Sequence, residues 1–163
     1  MIAAYYDSNY LFKLQCEEAG SEAVRQHAYQ LDTIVCSLHG KAEFVSAAHR
    51  KVREGSATKS DLGLLIQQLS LDTEAGGIIW LPIDEKLMDR IEQVYQAASS
   101  ETYLRAADAL HLASAAEQGF REIYSNDQHL LKPTFFLEKQ SDPALAKGSW
   151  PLLCFKCMEQ ALC

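Results

Sequence analysis

Short apolar runs alternate with longer amphipathic segments along the first 131 residues of the chain. The apolar runs are rich in β-branched and aromatic residues and end in polar ones, as is typical of buried strands. They lie at Ile2–Tyr6, Thr33–Ser37, Ile78–Leu81 and Glu122–Ser125. Because helical segments separate these strands, the pattern predicts an α/β fold whose mainly parallel sheet is covered by helices on both faces.

The segments between the strands have apolar residues at helical spacing. In chain order, we predict a short helix around Leu11–Leu14, then helices from Ser21 to about Leu31, over His39–Glu54, from Thr58 to about Thr73, from the capping residue Asp84 to about Ala98, and from about Thr102 to Gln118. A short turn is predicted at Asp127–Leu131. Ser21 is the predicted N-cap of the second helix.

The last part of the chain differs in composition. Residues 132–163 contain three of the four prolines and show no clear periodicity. We therefore predict one α/β domain over residues 1–131 and a partly irregular tail over 132–163 that packs on it. A further strand at Thr134–Leu137 would bring the sheet from four strands to five.

Composition limits the location and the function. The 163-residue chain carries a net charge of −7, so it lacks the basic surface of a protein that coats nucleic acid. No secretory leader and no apolar run of about 18 residues is visible. The five cysteines are widely spaced, and we interpret them as reduced thiols. These features predict a cytoplasmic protein that is not bound to a membrane.

Four acidic residues stand near the predicted carboxyl ends of strands. Asp7 follows the first strand, Glu43 lies in the helix after the second, Asp108 lies in the apolar helix before the last, and Asp127 comes two residues after the last. Parallel sheets bind ligands at this edge. Several carboxylates in one cleft need a counter-charge, and hard divalent cations such as Mg²⁺ or Mn²⁺ prefer oxygen ligands.

Each acid also has a purely structural interpretation. Asp7 could cap the first helix, Glu43 could be a solvated acid near a helix start, and Asp127 could be a turn residue. Asp108 could form an ion pair with Arg105. Spacing alone leaves these alternatives open.

The sequence around the acids resembles the PIN domain family, and within it the VapC-type toxin ribonucleases most closely. The segments that carry the resemblance are D-S-N-Y-L-F-K-L at Asp7, the helix of Glu43, L-R-A-A-D-A-L-H-L-A-S-A at Asp108 and S-N-D-Q-H-L at Asp127. The resemblance covers about residues 1–131 and implies a three-layer α/β/α fold. The R-A-A-D-A-L-H-L-A segment is its most specific part.

The resemblance implies that Asp7, Glu43, Asp108 and Asp127 are a metal-binding and catalytic quartet. It gives two further positions a secondary role. Ser125 matches the family's Ser or Thr two residues before the last acid. Asn9 belongs to the pair Ser8-Asn9, which replaces the family's common Thr-Ser pair directly after the first acid. The implied activity is Mg²⁺- or Mn²⁺-dependent cleavage of RNA by a homodimer that a small antitoxin protein inhibits.

Two other functions compete with this hypothesis. The first is a catalytically silent PIN scaffold that binds protein or RNA. The second is a phosphoryl-transfer enzyme of the haloacid-dehalogenase or receiver type. The dehalogenase type needs an Asp where Asn9 stands, and no late lysine at a strand end suits a receiver.

Two other features are interpreted as structural rather than functional. His111 follows Asp108 by three residues, and we expect it to pack or hydrogen-bond rather than to catalyse. The group Arg50, Lys51 and Arg53 is interpreted as a solvated helix end, with contact to RNA phosphate as the minority interpretation.

Overall fold

A computed structural model describes residues 2–131 of the chain. The predicted strand Thr134–Leu137, the predicted tail and the cysteines Cys154, Cys157 and Cys163 lie outside these residues. The division of the chain at residue 131 therefore stays a prediction. Within residues 2–131, no helix is both long enough and apolar enough to span a membrane.

Within residues 2–131, four parallel strands form the sheet, and helices cover both of its faces. The strands are β1 (Ala3–Tyr6), β2 (Thr33–Ser37), β3 (Ile78–Leu81) and β4 (Ile123–Tyr124). The helices are α1 (Ser8–Gln15), α2 (Ser21–Ala28), α3 (Leu38–Arg53), α4 (Lys59–Glu74), α5 (Glu85–Ala97), α6 (Ala106–Glu117) and α7 (Gln128–Leu131). The order β3-β2-β1-β4 is all parallel, so the prediction of a three-layer α/β/α fold is confirmed.

The alternation of side chains along the strands divides the core into two layers. Tyr5 of β1 points into a layer built with α5 and α6, whereas Ala4 and Tyr6 point into a layer built with α1 to α4. In β2 the same alternation sends Val35 to the first layer and Ile34 to the second. Both faces of the central strands are apolar because both are covered.

Two predicted helix boundaries are wrong. The sixth helix begins at Ala106 rather than at about Thr102, because Thr102 is held in a turn by Ser99 and Arg105 is in an extended conformation. The second helix ends at Ala28 rather than at about Leu31, because the chain there continues as a tighter turn.

The predicted cap of α2 is also wrong. Gly20 is the N-cap, with a positive φ of 84° that glycine adopts without a steric penalty. Ser21 is buried instead, and its hydroxyl donates to the carbonyl of Cys16 and accepts from the amide of Glu18. The loop before α2 is thereby held by a serine that does not cap the helix.

Gly40 sets the close approach of α3 to its neighbours. A Cβ atom at this position would lie 2.3 Å from Sγ of Cys36 and 3.1 Å from Cε1 of His111. Both neighbours are buried, so the added methyl group would force one of them or the helix to shift. Cys36, like Cys16, is an unpaired thiol, in line with the interpretation of the cysteines as reduced.

We expect Gly40→Ala to lower the free energy of unfolding by about 1–3 kcal/mol, although alanine favours helix, because the added methyl group overpacks the contact. Thermal and urea unfolding measure the change. Gly63→Ala is the matched control, because Gly63 lies in α4 and its Cβ would meet no atom within 4 Å. The control should be stabilised by about 0.5–1 kcal/mol. Equal stability of Gly40→Ala and wild type would contradict the packing argument.

Candidate functional site

A cleft of about 660 Å³ lies at the carboxyl-terminal edge of the sheet. The chain runs from β1 to β2 and β3 on one side and then returns to place β4 on the other side of β1. This reversal leaves a crevice beyond the ends of β1 and β4, where open α/β sheets bind ligands. All four predicted acids line the cleft: Asp7, Glu43, Asp108 and Asp127.

Asp7 is the most enclosed of the acids, with 2% of its surface exposed. One carboxylate oxygen accepts from the backbone amide of Tyr10 at 2.8 Å, so Asp7 does cap α1. The other accepts from the hydroxyl of Ser125 and from the amide of Asn9, which lies 3.4 Å away. Burial raises the pKa of Asp7, and these hydrogen bonds, with the nearby His111, limit the rise.

Ser125 joins the first strand's acid to the last. Its hydroxyl donates to Asp7 and accepts from the backbone amide of Asp127 at 2.8 Å. A carboxylate oxygen of Asp127 in turn accepts from the amide of His129 at 2.9 Å, so Asp127 also has the turn role that its position allowed. One buried hydroxyl thus fixes the loop after β4 against the end of β1.

Arg105 bridges the carboxylates of Asp108 and Asp127. Its guanidinium donates to both oxygens of Asp108, each at 2.8 Å, and to one oxygen of Asp127. Asp108 is 3% exposed, so this pair supplies the counter-charge that a buried carboxylate needs. Partial burial would raise the pKa of Asp127, but Arg105 lowers it, and the two acids raise the pKa of Arg105.

Glu43 is hydrogen-bonded to one histidine and lies close to a second. Nε2 of His111 lies 2.9 Å from Oε2 of Glu43, and Nε2 of His39 lies 3.4 Å from Oε1. Burial would raise the pKa of Glu43, but the hydrogen bond and charge of His111, together with Ser8 and His39, lower it to about 2. Glu43 is therefore held as a carboxylate, and the hypothesis of a merely solvated acid is wrong for it.

A buried tyrosine sets the orientation of His111. The hydroxyl of Tyr5 lies 3.0 Å from Nδ1 of His111. Burial raises the pKa of Tyr5 well above its usual range, so its hydroxyl keeps its proton. The two ring nitrogens of His111 are thus both engaged, Nδ1 by Tyr5 and Nε2 by Glu43. The expectation that His111 has a packing or hydrogen-bonding role is confirmed.

The basic group of α3 is divided between two surfaces. Arg50 and Arg53 line the cleft, on the same helical stripe as Glu43, whereas Lys51 points away and pairs with Glu18 at 2.8 Å. Arg50 lies 4.0 Å from Glu54, and Arg53 pairs with no acid among residues 2–131. Arg50 and Arg53 are exposed in the last turn of α3, in line with the interpretation as a solvated helix end, and they line the cleft as well.

The chemical type of the ligands, carboxylate oxygens, suits a hard divalent cation. All four acids present carboxylate oxygens to one cleft, and Mg²⁺ and Mn²⁺ prefer such ligands. In residues 2–131, however, no three acidic, histidine or cysteine side chains are grouped closely enough to ligate one ion. Asp108 and Asp127 are engaged by Arg105 instead.

Sequence reasoning missed part of this site. It considered Arg105 only as a partner of Asp108, although the guanidinium also reaches Asp127, 22 residues away. It also gave no role to Tyr5 and His39. His39 and Glu43 are four residues apart on one helix, a spacing that could have indicated their contact. No local signal connects Tyr5 with His111, because 106 residues separate them.

Comparison with known families gives one result that covers most of the chain. The family model described as PIN domain matches residues 4–135, a span that includes all four acids and Arg105. PIN domains are nuclease-type domains that generally use divalent metal ions. A search of curated proteins gave no match.

Proposed function

This chain belongs to the PIN domain family, and from that membership and the geometry of the cleft we propose that it is a Mg²⁺- or Mn²⁺-dependent endoribonuclease. One observation carries the proposal. Asp7, Glu43, Asp108 and Asp127 come from four separate segments, yet all line one cleft at the sheet's carboxyl edge. Gathering four carboxylates in one cleft, two of them buried, is costly, and a role in holding cations accounts for the cost.

In the proposed assignment, Asp7, Asp108 and Asp127 would hold metal directly, and Glu43 would hold a second ion or position the attacking water. When bound, the metal supplies charge neutralisation at the phosphate and lowers the pKa of water. In-line attack of water at phosphorus would break the P–O3′ bond, leaving a 5′-phosphate on one fragment and, once O3′ takes up a proton, a 3′-hydroxyl on the other.

The residues around the acids have positioning tasks in this reaction. Ser125 and Asn9 fix the carboxylate of Asp7, and His111 fixes that of Glu43. A carboxylate whose rotamer is already set loses little entropy when it binds an ion or a water. The apolar packing of α6 places Asp108 in the same way.

Arg50 and Arg53 are the proposed contacts to the RNA backbone. With a rise of about 1.5 Å per residue, they lie about 10 and 15 Å along α3 from Glu43. At that distance they would contact phosphates beside the scissile one rather than the scissile phosphate itself. A local arginine pair also explains how a chain with a net charge of −7 holds a polyanion.

We further propose that the protein acts as a VapC-type toxin, as a cytoplasmic homodimer paired with a small antitoxin. Exposed apolar side chains on α4, such as Leu64 and Leu71, are available for protein contacts. The second candidate is a catalytically silent scaffold that binds protein or RNA. The engagement of Asp108 and Asp127 by Arg105 is the observation that favours it.

We expect Asp108→Asn to reduce Mn²⁺-dependent cleavage of a labelled single-stranded RNA by at least about 100-fold, because a buried ligand loses its charge. Asp89→Asn is the matched control, because the same chemical change is made at an exposed site on α5, outside the cleft. Circular dichroism and thermal unfolding verify that both variants are folded. Wild-type rates for folded Asp108→Asn would contradict the proposal, and a wild type that cleaves no RNA but binds it would favour the scaffold.

We expect Arg53→Gln to raise KM for RNA about 3- to 10-fold while kcat changes less than twofold, because a flanking phosphate contact is lost. The dependence of log KM on log salt should fall in slope by about 0.7, the value for one phosphate of a single strand. Steady-state kinetics at several salt concentrations measure both. Arg121→Gln, at an exposed position outside the cleft, is the control. An unchanged KM and salt slope for Arg53→Gln would remove this contact from the account.

A further inference from the structure

Arg105 occupies the position where a cation would neutralise two of the four acids. Its guanidinium contacts Asp108 and Asp127, which belong to different segments, and it lines the cleft together with them. If Arg105 only stabilised the start of α6, an ion pair with Asp108 would be sufficient. The reach to Asp127 places the positive charge across the cleft, between two groups proposed as metal ligands.

The exposure of the three side chains differs in a way that matters. The side chain of Arg105 is 44% exposed, whereas those of Asp108 and Asp127 are 4% and 23% exposed. The acids are therefore fixed by the fold, and the arginine reaches them from the solvent side. Arg105 is the N-cap residue of α6 in an extended conformation, and its backbone amide donates to Asp108 at 3.1 Å, so this contact at the helix start does not depend on the guanidinium.

We propose that Arg105 is a built-in counter-ion that competes with the divalent cation for Asp108 and Asp127, and so sets the metal affinity of the site. This inference rests on the proposed function. Without metal, the guanidinium compensates the buried carboxylate of Asp108 and stabilises the fold. Metal binding replaces its hydrogen bonds, so only cations that bind strongly enough to displace it occupy the site.

If Arg105 competes with metal, removing its guanidinium should lower the stability of the metal-free protein and raise its affinity for metal. Removing the guanidinium takes its positive charge and two side-chain hydrogen bonds away from the buried carboxylate of Asp108, which keeps the backbone amide of Arg105 as a donor, and this lowers the stability of the metal-free protein. The same change frees two ligands and removes a positive charge beside the ion, which raises metal affinity. An arginine with only a structural role would produce the first effect without the second.

The test is calorimetric titration of Mn²⁺ into the full chain, with thermal unfolding measured with and without Mn²⁺. Relative to wild type, Arg105→Gln should bind Mn²⁺ at least about tenfold more tightly. It should also have a lower melting temperature without metal and a larger upward shift on adding Mn²⁺. Arg105→Lys should fall between the two, because lysine keeps the charge but not the fork that bridges both acids.

Arg121→Gln removes the same charge from an exposed site outside the cleft, so its Mn²⁺ affinity should equal that of wild type. Equal or weaker Mn²⁺ binding by folded Arg105→Gln would overturn the inference while leaving the proposed function intact. If neither wild type nor any Arg105 variant binds Mn²⁺, the proposed metal site itself fails. Binding by Arg105→Gln alone would support the inference in its strongest form.

Discussion

Charge compensation at the edge of the sheet is the constraint on which the site depends. Asp7 and Asp108 are almost completely removed from water, and a buried carboxylate is tolerated only when hydrogen bonds or opposite charge replace its hydration. The two acids are compensated differently. Asp7 relies on neutral donors and has a raised pKa, whereas Asp108 relies on the guanidinium of Arg105.

The contacts that compensate the acids also connect the segments that carry them. Ser125 links Asp7 with Asp127, and Arg105 links Asp127 with Asp108. His111, one turn beyond Asp108 on α6, links that helix to Glu43 and to the buried strand β1. The site therefore consists of two hydrogen-bonded sets, one from Asp7 through Ser125 and Arg105 to Asp108 and one from Tyr5 through His111 to Glu43, and α6 carries a member of each.

The topology explains why these residues meet. The strand order places β4 beside β1 after the chain has built the other half of the sheet, so the polar ends of the first and last strands become neighbours. The small residues of α6 let this helix pack closely on the sheet, and eight of its twelve residues are buried. The same close packing that builds the core brings Asp108 and His111 to the cleft.

Much of this arrangement could be predicted from the sequence. The strands are apolar runs that end in polar residues, so their type follows from local composition, and the helices between them indicate a parallel sheet. The resemblance of the segments around the four acids indicated a shared cleft. The bridge from Arg105 to Asp127 and the contact of Tyr5 with His111 could not be predicted, because they depend on the three-dimensional packing of residues distant in sequence.

The start of α6 shows a similar limit. The sequence pattern predicts a helix from about Thr102. The helix begins only at Ala106, because Ser99 and Thr102 form a local turn and Arg105 is in an extended conformation. Arg105 is thereby left at the mouth of the cleft rather than on the helix. The wrongly predicted helix boundary and the unpredicted contact with Asp127 therefore involve the same residue, Arg105.

The central claim is that the four acids of this cleft hold divalent metal, and anomalous scattering from crystals soaked in Mn²⁺ tests it most directly. The account predicts an anomalous peak inside the cleft, about 2.0–2.3 Å from carboxylate oxygens of at least two acids, Asp7 among them. Crystals at saturating Mn²⁺ with no peak in the cleft, and with every carboxylate still bound to its protein partners, would contradict the account.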